Sequence, residues 1–207
     1  MSGTEPKPTA SIWARQIRDE AAESAAKGRW GIALIVVGWV HLAAFAACQG
    51  LVNPSIRGDL RHPALWVADV VASLLAIRSI AGKGWYRDSP ASLLIAKLWG
   101  TFLILAFSLA TLNNLSGWDS DWFKPPWATL SSFGFAAMAW LFDIRFLVFA
   151  VLMYLTGLMM IALPRWSFLI FGASWWLALQ VLGSFLWRRA RQRGGRSSVG
   201  RSPSRRE

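Results

Sequence analysis

Asp69 stands inside an apolar run, with Trp66-Val67-Ala68 before it and Val70-Val71-Ala72 after it. Placing an aspartate at the centre of a bilayer costs on the order of 3 kcal/mol, so the carboxyl must face protein, face a water-filled cavity, or carry a proton. His41 lies near the middle of the preceding run, on a helical stripe with Leu34, Gly38, Phe45 and Cys48. As antiparallel neighbouring helices, the two runs would bring imidazole and carboxyl within about one turn of each other in depth. A bonded His41–Asp69 couple in hydrocarbon has the chemistry of a proton relay or a polar solute site. It has equally the chemistry of a clasp between two helices, a part that Asp69 and Ser73, one turn further on, would fill together.

A third run carries Lys97, Thr101, Ser108 and Thr111 on one face, interrupted by Ile104. Lys97 is close enough to the run's end to snorkel to the surface. The hydroxyls either bond to carbonyls one turn back or line a hydrated path with Gln180 and Ser184 of the last run. His41, Asp69, Ser73, Thr101, Ser108 and Gln180 are therefore the candidate polar intramembrane site.

Other chemistries are short of parts. Asp119 and Asp121, flanking Ser120, supply two carboxylates, fewer oxygens than a calcium site needs. Gly172-Ala173-Ser174 resembles the serine motif of rhomboid intramembrane proteases, but no histidine follows Ser174 to serve as its base. Cys48 is the single cysteine, which excludes an intrachain disulfide, and two histidines, His41 and His62, are too few for a bis-His haem site plus anything else. There is no phosphate loop, zinc-binding HExxH or dinucleotide fingerprint. No metal and no cofactor are expected.

The elements that must position these side chains are membrane helices. The 207-residue chain is 55% hydrophobic, and the apolar residues are blocked into long runs, as a bilayer requires. The spacing predicts an all-α bundle of six spans at residues 30–49, 64–80, 91–112, 127–142, 146–163 and 166–187. The stretch from Trp127 to Leu163 is too long for one crossing: as a single helix it would measure roughly 55 Å against a hydrocarbon core of about 30 Å. Asp143-Ile144-Arg145 is its charged interruption and the expected hairpin, and Pro164-Arg165 is the next break. Small residues mark expected helix–helix faces: Ala68, Ala72 and Ala76, the pairs Ala43/Ala47 and Ala46/Gly50, and Ala106/Ala110.

Charge orients the bundle. With the N-terminus in the cytoplasm, the cytoplasmic pieces hold 17 Lys/Arg and the opposite side four: Arg57, Arg61, Lys124 and Arg165. Translocation of basic loops is disfavoured, so both ends are expected in the cytoplasm and the number of crossings is even. Trp30, Trp85 and Trp187 then fall at the inner boundary, and Trp66, Trp118, Trp122, Trp127 and Trp166 at the outer one.

Residues 1–29 form an arm whose stretch from Ser11 to Lys27 has an amphipathic pattern that would lie on the membrane through Trp13 and Ile17. A long first run and mixed charge before it argue for a retained helix rather than a cleaved signal. Residues 188–207 are Arg-rich, Ser-rich and without large apolar residues, hence expected to be disordered. Arg188, Arg189, Arg191 and Arg193 would meet anionic headgroups, which makes nucleic acid an unnecessary partner despite the net charge of +11.

The function classes rank accordingly. First is a non-enzymatic component of a cell membrane, a bacterial inner membrane by its Arg-heavy usage, acting as accessory or scaffold toward a membrane-protein partner or another copy. A small transporter or channel-like protein comes second, and an intramembrane enzyme using His41 and Asp69 last. Topology is checked by reporter fusions: those at Glu207 and within residues 82–90 should report cytoplasm, and those within residues 113–126 the outside. A periplasm-active reporter at Glu207 would refute the six-span arrangement.

Overall fold

The computed structural model describes residues 15, 16, 19, 20, 23, 29–51, 61–87, 89–116 and 120–199. Six α-helices run through residues 30–199: α1 Trp30–Gly50, α2 Arg61–Ala81, α3 Pro90–Ser116, α4 Ser120–Leu141, α5 Leu147–Ala162 and α6 Ser167–Val199. Short 3₁₀ turns at Ile144–Phe146 and Pro164–Trp166 precede α5 and α6. There is no strand among the described residues. Among the described residues, five elements are long and apolar enough to cross a membrane, which makes this a bundle of the multi-pass membrane type. In the N-terminal arm the described positions 15, 16, 19, 20 and 23 are helical, with Gln16 bonded to Glu20 one turn on; Trp13 lies outside the described residues.

Local chemistry accounts for the helix ends. Pro90 opens α3, where its missing N–H costs nothing, and the Ser89 hydroxyl accepts from the Ser92 amide at 3.1 Å. The chain turns at Asp143, which is extended (φ −154°) and accepts from the Arg145 amide at 3.0 Å. At the second turn, Ser167 donates to the Pro164 carbonyl at 2.8 Å. Pro125 and Pro126, expected in a loop, stand inside α4.

The helices pack in the order α2, α1, α6, α5, α4, α3. Each contact is antiparallel by its register. Gly31 meets Gly183 while Phe45 meets Gly172, and Ser132 bonds to Ala150 while Gly157 rests on Ala128. The start of α1 thus lies beside Trp187 of α6.

The α1–α6 contact is the most extensive. A Cβ on Gly31 would stand 2.6 Å from the Gly183 carbonyl oxygen, and one on Gly183 would stand 2.7 Å from that of Gly31. Only paired glycines let two backbones come this close. The small residues expected to do this work are elsewhere: Ala43, Ala46, Ala47 and Gly50 of α1 and Ala68 and Ala72 of α2 are exposed. Of the expected stripes, Ala76 and Ala110 pack against the core. A small residue permits approach from its side, but the large side chains on the other faces decide which side turns inward.

Those large side chains are aromatic. Phe45, Trp127, Phe135, Phe168, Phe171 and Trp175 form the buried core, joined by Trp66, Trp99 and Phe102. Trp66 and Trp127 meet edge to face at 4.3 Å between centroids inside the bundle. Trp39 and Trp140 are exposed on its outside.

The last helix does not stop at Trp187. It continues to Val199, so residues 188–199, expected to be disordered, are helical. Arginine is a good helix former, and here the guanidiniums of Arg189 and Arg191 lie over the Phe185 and Trp187 rings one turn back, at 4.3 and 4.1 Å. Gly31→Ala and Gly183→Ala should each destabilise the folded protein by about 1–3 kcal/mol in detergent unfolding. Gly100→Ala, whose Cβ would meet nothing within 4 Å, should be neutral or stabilise by up to about 1 kcal/mol. Equal losses at all three sites would show that the close crossing is not what holds α1 to α6.

Candidate functional site

α1 and α2 bring together the two ionisable groups that sequence singles out. His41 Nδ1 is 2.7 Å from Asp69 Oδ1. Asp69 is 8% exposed and His41 20%, so the contact lies under the bundle surface without being sealed. With a carboxylate opposite, the tautomer that makes the bond carries its proton on Nδ1, which donates to Oδ1. A charge-assisted bond of this length satisfies a carboxylate that hydrocarbon would otherwise leave without a donor.

The surroundings are aromatic. Trp175 of α6 meets the imidazole edge to face at 5.7 Å, and Phe45 lies one turn along α1 at 6.5 Å. Trp175 in turn packs on Trp99 and Phe135, at 5.4 and 5.3 Å. Cys48 is buried on the same face of α1, with the Trp66 indole directed at its sulfur. Ser73 is buried one turn from Asp69, and its hydroxyl has no hydrogen-bond partner among the described residues.

The rest of the expected constellation does not converge there. Gln180 donates to the Ile35 carbonyl at 3.0 Å, tying α6 to α1 nearer the chain ends. Thr101 is exposed and donates to the Lys97 carbonyl at 2.9 Å, one turn back on its own helix. Ser108 is exposed on α3 and lies on the side of that helix that faces Val70 of α2. α3 contacts the bundle mainly through α4. Helical spacing shows which residues share a face, but not where that face points.

Polar ties that sequence reasoning passed over join the other helices. Ser132 of α4 donates to the Ala150 carbonyl of α5 at 2.8 Å, and Thr156 of α5 is 2.7 Å from the Ser174 hydroxyl of α6. Gln49 donates to the Arg165 carbonyl at 2.7 Å and accepts from the Leu169 amide at 3.4 Å. At the same end, Lys124 is buried with its ammonium 4.9 Å from the Phe168 ring, on which His62 stacks at 5.5 Å. The signal was available: hydroxyl and amide side chains inside long apolar runs seek partners on neighbouring helices.

Among the described residues, no three of His, Cys, Asp and Glu come together as a metal-binding set. Asp119 and the side chains of Asp121 and Arg193 lie outside the described residues. Arg188, Arg189 and Arg191 are exposed along the extended α6. Comparison with known protein families, curated proteins and solved structures gives no match.

The His41–Asp69 contact is checked by a double-mutant cycle in detergent unfolding. His41→Ala and Asp69→Ala should each destabilise, and the double variant should cost less than their sum by about 0.5–3 kcal/mol. Strictly additive losses would mean that the two side chains do not stabilise each other.

Proposed function

We propose that this protein is a non-enzymatic multi-pass membrane component that acts through helix contacts, as an accessory or scaffold in a bacterial inner membrane. Its six helices cross the bilayer six times, with both ends in the cytoplasm. The observation that carries this reading is the use made of the polar side chains inside the bundle. His41 and Asp69 satisfy each other, and Gln180 is taken up by a carbonyl of the adjacent helix. Ser132, Thr156 and Ser174 form further ties between helices. A transporter needs such groups to converge on a path that a solute can reach, and Thr101 is instead bonded to the Lys97 carbonyl of its own helix.

The six-span arrangement has its support in register. Five successive antiparallel contacts put the start of α1 and the exit of α6 at one end, and the excess of Lys/Arg assigns that end to the cytoplasm. α4 is not among the five elements that qualify as spans by length and composition, yet it packs along α5 and reaches α3 and α6 as well. An element enclosed by others needs less apolar surface than one facing lipid. At the cytoplasmic end, Arg188, Arg189 and Arg191 follow the span at once and serve as contacts to anionic headgroups, while Trp13 anchors the arm. A membrane-protein partner or a second copy of the chain completes the assembly.

Purified protein in vesicles holding a pH-sensitive dye tests the reading against transport. An imposed proton gradient should decay as slowly as in protein-free vesicles, for the wild type and for Asp69→Asn alike. Decay accelerated by the wild type and restored by Asp69→Asn would replace the scaffold reading with proton movement through the pair.

A further inference from the structure

α2 and α3 follow one another in the chain but do not pack side by side. Between them runs an open groove of about 650 Å³, lined by Val70 of α2 and by Leu103, Ile104, Phe107, Ser108 and Thr111 of α3. Its walls are almost wholly apolar. One end of it is marked by charge. Arg78 lies eight residues beyond Val70 on α2, and Lys97 ten residues before Phe107 on α3. At 1.5 Å per residue these are offsets of about 12 and 15 Å along two antiparallel helices, so both cations stand at the same mouth. Both are exposed, and neither has an ion-pair partner among the described residues. The mouth is on the side of the start of α1, beside Trp187 of α6, where Trp30 packs on Trp85 at 5.3 Å.

We propose that the groove holds one anionic phospholipid of that leaflet, with its phosphate between Arg78 and Lys97 and an acyl chain along Val70, Ile104 and Phe107. The proposal rests on the membrane-spanning reading of the bundle. Apolar walls alone would accept any lipid tail, so selection comes from the paired cations at headgroup depth, each worth about fivefold in affinity near the surface. A second copy of the chain is a poorer occupant. A two-fold contact through this face would set the Arg78 and Lys97 of each copy at the same depth as those of the other, with like charges opposed where screening is weak. The lipid's chain supplies the contacts that the two helices do not make with each other.

Native mass spectrometry of the full chain in detergent, titrated with phosphatidylglycerol or phosphatidylcholine, tests this. Wild type should retain one phosphatidylglycerol at least tenfold more tightly than phosphatidylcholine. The double substitution Arg78→Gln/Lys97→Gln should bring the two lipids to within a factor of two. Val70→Trp, which fills the groove and keeps the charges, should weaken both. Arg188→Gln/Arg189→Gln/Arg191→Gln should lose loosely held lipid but keep the tightest one. Circular dichroism identifies folded variants, and the two groove variants act on different features, so misfolding of one leaves the other decisive. Equal retention of both lipids by wild type, an unchanged preference in the Arg78/Lys97 variant, or lipid displaced by a dimer would overturn the proposal. A protein monodisperse in buffer without detergent would overturn the membrane reading instead.

Discussion

Gly31 and Gly183 meet backbone to backbone, and the placement of the other contacts follows from that crossing. With α1 and α6 this close, Gly38 comes under Leu179 and Gln180, and Gly172 comes under Phe45. The His41 ring is then carried against Trp175, and Trp175 against the aromatic side chains of α3 and α4. The first and last helices of the chain are thereby joined along their length. Elements that are neighbours in sequence, such as α2 and α3, are left on opposite margins of the groove.

A second constraint acts on the polar side chains. Hydrocarbon offers them no water, so each must find a donor or acceptor in the protein or bear a desolvation cost of several kcal/mol. The bundle meets this requirement pairwise: His41 with Asp69, Gln180 with Ile35, Ser132 with Ala150, Thr156 with Ser174. Each bond joins two helices at a particular register, which non-directional dispersion contacts do less well. The same requirement suits α4 to an inward place. It carries Lys124, Ser131 and Ser132, and Lys124 and Ser131 are buried.

The ionisable pair shows how far residue type and spacing reach. Asp69 and His41 were legible as partners because each is out of place in an apolar run and because consecutive helices joined by a short loop are antiparallel. The turn at Asp143 was legible from length, since one helix cannot be nearly twice as long as the layer it crosses. Thr101 and Ser108 were grouped on one face of α3, as candidates for a path with Gln180, by helical spacing alone. Spacing places residues on a common face, while the direction of that face depends on which neighbour the helix acquires, and α3 acquires α4.

What the sequence determined by itself is therefore local or summed along the chain: the apolar runs, their breaks, the bias of Lys and Arg between alternate loops, and the residues whose burial demands a partner. Tertiary structure alone decided that Gly31 pairs with Gly183, that Trp66 and Trp127 turn inward while Trp39 and Trp140 turn outward, and that α2 and α3 stand apart. The physical reason lies in the medium. In water a helix announces its inner face by being apolar there and polar elsewhere. In lipid both faces are apolar, so orientation is set by shape and by a few polar bonds, and these exist only once the partner helix is in place.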